Sequence, residues 1–219
     1  MASSVHLFTF NPLQENTYLL IDQASREAIV IDPGCSSPEE CHALDNVIER
    51  EKATLVGLLA THLHFDHVWG APHLTKKYGL PLLAHEKEIE NTSSIERQAS
   101  SFMIPLGESF KDVQIKPFQT GEIFNFGELQ LEALFTPGHS AGHVTYYNRA
   151  EKYVCCGDVV FRGNIGRCDL EGGSYSVMLN TLKNVFVPLS DETIIYPGHG
   201  PETTIGYEKK NNPYIMSVL

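Results

Sequence analysis

The stretch Thr54-Leu55-Val56-Gly57-Leu58-Leu59-Ala60-Thr61-His62-Leu63-His64-Phe65-Asp66-His67 decides how the rest of the chain is read. Its first seven residues form an apolar run suited to a buried strand. Where the chain leaves that strand still extended, His62 and His64 point to the same side, so two imidazoles can meet one metal ion. Asp66 and His67 follow as the chain turns into a helix, read over residues 66–78 and stopped by Gly79. They can face a second ion close by. One tetrahedral structural site would not need all four in so short a segment.

Three later segments repeat the arrangement of strand, turn and ligand. Thr136-Pro137-Gly138-His139 ends a strand read over 129–135, Gly157-Asp158 follows one over 152–156, and Tyr196-Pro197-Gly198-His199-Gly200 follows one over 193–196. Each puts a metal-competent side chain just past a strand end, where glycine lets the backbone approach closely. Seven candidate ligands from four loops suit two cations, and a carboxylate such as Asp158 can bridge ions ~3.5–4 Å apart.

The flanking sequence supplies the frame. Strands are expected over 5–10, 17–21 and 28–31, the last stopped by Asp32-Pro33-Gly34. Ser37-Pro38-Glu39-Glu40 starts a helix, with Ser37 as cap, Glu40 at the capping-box position, and Cys41, Leu44 and Ile48 on one face. Further strands are expected over 81–84, 114–118 and 144–148. The polar segment 86–108 reads as a helix followed by loop. A helix over 174–187 carries Tyr175, Met178, Leu182 and Phe186 on one face, and a last short helix covers 203–212. No stretch has linker composition, so residues 1–219 are expected to form a single domain of layered α/β type.

Composition narrows the function. Apolar residues make up 42% and charged ones 20% of the 219, which excludes wholesale disorder. Sixteen Lys+Arg against twenty-seven Asp+Glu give a net charge of −11, which repels nucleic-acid backbones. No apolar run is long enough to cross a membrane. The first basic side chain is Arg26, so a secretory signal pattern is absent. Five cysteines, an odd number with an adjacent pair, do not look like a disulfide framework; a cytoplasmic location is expected.

H-x-H-x-D-H, followed by a single His, a Gly-Asp and a Gly-His, resembles the metallo-β-lactamase superfamily over essentially the whole chain. Within it, Asp32-Pro33-Gly34, Thr136-Pro137-Gly138-His139-Ser140-Ala141-Gly142-His143 and Gly157-Asp158-Val159-Val160-Phe161 are similar to the glyoxalase II (hydroxyacylglutathione hydrolase) branch. Gly166-Arg167-Cys168-Asp169 resembles the G-R-x-D of its shorter bacterial relatives and of persulfide dioxygenases. The chain ends twenty residues after His199, so a short form without the C-terminal helical domain is expected.

The resemblance implies a four-layer αββα sandwich of two mixed β-sheets. It assigns His62, His64 and His139 to one divalent metal and Asp66, His67 and His199 to the other, with Asp158 bridging. Zinc is expected, and iron or manganese would suit the same histidine-rich set. The implied reaction is hydrolysis of a small thioester of S-acylglutathione type by a metal-bridging hydroxide, with Asp66 and Asp158 at the reacting centre. A thiolate leaving group departs without a strong general acid, which favours a thioester over an amide. A mononuclear-iron persulfide dioxygenase using His62, His139 and Asp158 stays open, as does a lactonase.

Around the ligands, Arg167 is a candidate anchor for a substrate carboxylate, with a salt bridge to Asp169 equally open. His85 is a second substrate-side candidate. His143 reads as a hydrogen bonder behind the ligands, Trp69 as core, His73 as a helix residue, and His6 and His42 as surface. Tyr146 and Tyr147 alternate on a strand, so at most one is expected in the core. The expected partner is a small-molecule thioester, not nucleic acid or a membrane; the oligomeric state is left open.

Overall fold

Six strands from the first half of the chain share one mixed sheet: β1 (Ser3–Phe10), β2 (Glu15–Asp22), β3 (Glu27–Ile31), β4 (Thr54–Leu59), β5 (Leu82–His85) and β6 (Ile115–Phe118), in that spatial order. The structure is a computed structural model and describes residues 3–90, 95–107 and 109–219. Two compact units divide it, Met1–Phe118 with Asn125–Leu129, and Gln119–Phe124 with Gln130–Leu219.

In the first unit, β1, β2 and β3 run antiparallel, and β3 to β6 run parallel. Parallel neighbours need crossovers, which helices supply. α1 (Pro38–Arg50) joins β3 to β4, and α2 (Phe65–Val68) and α3 (Ala71–Tyr78) lie between β4 and β5. Ser37 caps α1 through its hydroxyl, which accepts from the Glu40 amide. The Glu40 carboxylate does not close the box. It accepts from the amides of Ser36 (2.7 Å) and Asn11 (2.9 Å), tying the helix start to the β1–β2 turn. Cys41, Leu44 and Ile48 are buried as their spacing predicts.

The helix expected over 66–78 is two helices. Pro72 lacks an N–H and its ring crowds the carbonyl four residues earlier, while the Gly70 amide turns to the Pro33 carbonyl at 2.7 Å. The segment 86–108 holds α4 (Glu86–Ile89) and α5 (Ile95–Ser101), where one helix and a loop were expected; its residues 91–94 and 108 lie outside the described ones.

The second sheet contains β7 (Ile123–Phe126), β8 (Leu129–Phe135), β9 (Val144–Asn148), β10 (Tyr153–Gly157), β13 (Ile194–Pro197) and β14 (Thr203–Thr204), in spatial order β14-β13-β10-β9-β8-β7. β10 and β13 are parallel, and β8–β9, β9–β10 and β13–β14 are antiparallel. β11 (Val160–Phe161) and β12 (Asn164–Ile165) form a separate hairpin. α6 (Tyr175–Thr181) continues into a wider π turn, Leu182–Phe186. Met178, Leu182 and Phe186 are buried, but Tyr175 is 52% exposed, because the first turn of α6 projects beyond the face its later turns bury. β9 is buried along its whole length, so Tyr146 and Tyr147 are both core residues; period two separates faces but both faces of this strand are covered. The helix expected over 203–212 starts after β14, as α7 (Ile205–Asn211) capped by Thr204, and α8 (Pro213–Met216) follows.

All five cysteines are free thiols. Among the described residues no helix is long and apolar enough to cross a membrane.

Candidate metal centre

β4 ends at Leu59, and the chain runs on through Thr61 to α2 carrying His62, His64, Asp66 and His67. His62 Nε2 and His64 Nδ1 stand 3.0 Å apart. Two nitrogens bound to one tetrahedral ion at 2.0–2.1 Å would be about 3.3 Å apart, so this pair fits a shared ion. A relay behind His62 sets its tautomer. The Thr61 hydroxyl donates to Asp32 Oδ2 at 2.7 Å and lies 3.0 Å from His62 Nδ1, from which it accepts. That leaves the Nε2 lone pair facing away from the relay, toward His64.

His67 is held in the same way. Its Nδ1 lies 3.0 Å from Asp32 Oδ2, so Nδ1 donates and Nε2 keeps its lone pair, 3.8 Å from Asp66 Oδ2. Asp32 also accepts from the Thr61 amide at 2.6 Å. It adopts a left-handed backbone (φ 53°), which Asp tolerates and which turns its carboxylate back toward this loop. Donor atoms of Asp32, His62 and His67 lie within 4.8 Å of one another, but the carboxylate is committed to Thr61 and His67. The sequence marked Asp32 only as a strand stop; its αL-tolerant residue type before Pro-Gly was the one available signal.

A second buried acid lies behind the first. Glu15 accepts from the Thr17 hydroxyl at 2.9 Å, and its other oxygen lies 3.9 Å from His67 Nδ1. Burial pushes its carboxyl well above the ordinary range, against the pull of His67. Gly34 is the residue that allows this packing, because a Cβ there would overlap the Glu15 carboxylate.

In the second unit the ligands come one by one. His139 follows β8 in a loop pinned by α6: the Ser174 amide donates to Gly138 O at 2.8 Å and the Thr181 hydroxyl to Pro137 O at 2.6 Å. Gly138 has φ +138° and packs on the backbone of Met178, so no other residue fits there. His139 Nδ1 donates to the Arg167 carbonyl at 2.7 Å, which makes Nε2 the unprotonated nitrogen of the neutral ring. Asp158 follows β10, and His199 follows β13. Asp158 Oδ2 lies 3.5 Å from His139 Nε2 and 3.7 Å from His199 Nε2, between the two imidazoles. His143 is the hydrogen bonder expected: its Nε2 accepts from the Asp158 amide at 3.2 Å while Nδ1 meets the Thr136 hydroxyl at 3.1 Å.

The remaining candidates make these contacts within their units. Arg167 makes a two-pronged bond to Asp169 (2.8 and 2.9 Å) with its side chain 54% exposed, the salt-bridge alternative of the sequence reading. His85 is buried, accepts from the Lys87 amide at the start of α4 and stands edge-on to Phe118. His73 bonds Asp45 at 3.0 Å. Trp69 is partly buried against the core and packs on Phe65.

The chain is similar to known proteins along most of its length. Hydroxyacylglutathione hydrolase GloC of Haemophilus influenzae is 34% identical over 216 residues, 98% of this chain and 99% of its own length. Probable metallo-hydrolase YqgX of Bacillus subtilis is 33% identical over 204 residues, 93% of each chain. The crystal structure of TTHA1623 in a di-iron-bound form superposes with a TM-score of 0.84 at 33% identity, covering 96% of this chain and all of that one. The metallo-β-lactamase superfamily model matches residues 10–199, from the end of β1 to His199. With two mixed sheets, flanking helices and a histidine–aspartate set after the strand ends, the chain belongs to the metallo-β-lactamase superfamily.

Proposed function

We propose that the chain is a metal-dependent hydrolase that cleaves a small thioester of the S-acylglutathione type. In this reading His62, His64 and His139 would hold one divalent cation, Asp66, His67 and His199 would hold the other, and Asp158 would be a ligand to both. The observation that carries it is the distance of 3.5 Å from Asp158 Oδ2 to His139 Nε2 and of 3.7 Å to His199 Nε2, which suits a bridging carboxylate. Similarity to GloC along nearly the whole of both chains supports the thioester, and similarity to a di-iron protein supports iron beside zinc as the metal.

When bound, such a pair of cations lowers the pKa of water to about 7 and polarises a carbonyl. The chain's own residues prepare for this. Thr61, Asp32 and the Arg167 carbonyl hold the Nδ1 protons of His62, His67 and His139, so that Nε2 of each would be the metal-binding atom. Asp66 would serve as a ligand first, and its carboxylate would also be able to take up a proton. No cysteine serves as nucleophile, since Cys155 and Cys156 are buried within β10. Arg167 stands exposed on the segment whose carbonyl holds His139, and its guanidinium would exchange Asp169 for a substrate carboxylate. A net charge of −11 suits a small-molecule substrate better than nucleic acid.

Metal quantification on protein as expressed, paired with S-lactoylglutathione hydrolysis with and without chelator, tests the reading. About two metals per chain and chelator-sensitive hydrolysis are expected. Two metals with no cleavage across a broad thioester panel would overturn the substrate class. One iron with persulfide-dependent oxygen uptake would replace the reading with a persulfide dioxygenase.

A further inference from the structure

We infer that Glu88 is a positioning residue for the ligand-bearing loop, acting through the main chain between His62 and His64. The inference rests on the ligand assignments proposed above for His62, His64, Asp66 and His67. β4 pairs with β3 and β5, and the last ladder bond on its β5 side runs from the Ala60 amide to Leu83 O at 2.9 Å. Beyond Ala60 the loop still needs partners for its amides, since buried N–H groups are costly to leave unmade.

Side chains supply them, at alternate residues. The Thr61 amide donates to Asp32 Oδ1 (2.6 Å), the Leu63 amide to Glu88 Oε2 (3.0 Å), and the Phe65 amide to Gln98 Oε1 (3.2 Å). The intervening residues, 62, 64 and 66, carry the candidate ligands. The three acceptors come from different elements. Asp32 follows β3, Glu88 lies on α4 just after β5, and Gln98 lies on α5, so the loop is hung between the strands that flank β4 and the helix beyond them. Glu88 is 2% exposed, and Leu63 is buried with it. Its bond falls midway between His62 and His64, whose nitrogens must stay near 3 Å apart to share an ion.

In the sequence Glu86-Lys87-Glu88 only opens the polar segment read as a helix followed by loop; the fold brings this one carboxylate 25 residues back onto the ligand-bearing loop.

The test is zinc affinity of the full-length, metal-stripped chain, measured by competition with a chromogenic chelator, beside thermal denaturation of the same metal-free samples. Glu88→Ala is expected to weaken zinc binding by about 10–100-fold, the range for groups that orient ligands from behind. Glu88→Gln, which keeps an acceptor oxygen, is expected within about threefold of the parent, a rescue that a general loss of packing would not give. Should Glu88→Ala not fold, Gln98→Ala reads the same device at the next amide, with a loss of about 3–10-fold expected. Wild-type affinity in Glu88→Ala, or in Gln98→Ala where that stands in for it, overturns the inference, as does a Glu88→Gln variant as weak as Glu88→Ala. A parent chain that binds no zinc, iron or manganese instead overturns the ligand assignment itself.

Discussion

In the first unit four candidate ligands leave the chain within six residues, His62 to His67, whereas in the second three leave it from three separate strand ends, at His139, Asp158 and His199. The first arrangement concentrates its ligands on one loop and must hold that loop from outside, with Asp32, Glu88 and Gln98 accepting its amides. The second uses fewer such props, His143 on the Asp158 amide and Thr181 on the Pro137 carbonyl. The ladder β8–β9–β10–β13 and glycines that admit close backbone contact place its three donors, with Asp158 Oδ2 near two imidazoles. A contiguous motif thus depends mainly on distant side chains, and a scattered one mainly on backbone registry.

That contrast can be broken at its strongest point first. Asp158→Ala removes the only carboxylate of the second set and is expected to lower thioester hydrolysis by at least about 10³-fold, beyond the 10–100-fold typical of supporting groups; steady-state rates and metal content on purified protein check it. Gly138→Ala attacks the registry of the second unit. A side chain at φ +138° against the Met178 backbone is expected to cost about 3 kcal/mol in urea denaturation, whatever the metal content.

Asp32→Asn attacks the scaffold of the first unit. The amide cannot serve Thr61 and His67 as two full acceptor oxygens, so metal affinity should fall about 10–100-fold, while the apo protein loses less than Gly138→Ala does. Competition titration beside apo-protein melting separates the two effects.

The smallest effect lies away from both donor sets. Burial raises the pKa of the Asp45 carboxyl, but bonds from Lys77 (2.8 Å), Tyr78 (2.7 Å) and His73 together hold it below the ordinary 3.8. A depressed pKa contributes stability that is present above the unfolded value and lost as pH falls through the folded one. Asp45→Asn should therefore cost about 1 kcal/mol at pH 7, and its deficit should shrink as the pH drops below about 4. Thermal denaturation of both proteins at pH 7 and pH 3 checks the sign.

Much of the centre was legible because its chemistry is local. His62 and His64 share a side through the period of an extended chain, and α1 declares itself through Ser37 and the spacing of Cys41, Leu44 and Ile48. What escaped the sequence involved distant partners or doubly covered strands. Glu40 leaves its capping box for Asn11, 29 residues away, and Tyr146 and Tyr147 both enter cores because β9 is covered on both faces. β7, β11, β12 and β14 have two to four residues each, too few for a period to show.

The sequence by itself determined which donors this protein has, in what order, and that each follows a strand end. Only the tertiary structure decided which imidazole nitrogens are held protonated and which groups stand behind them. Those depend on Asp32 meeting His67 across 35 residues and Arg167 meeting His139 across 28. Separations of that size are set by the order of strands in a sheet, which residue spacing along the chain does not encode.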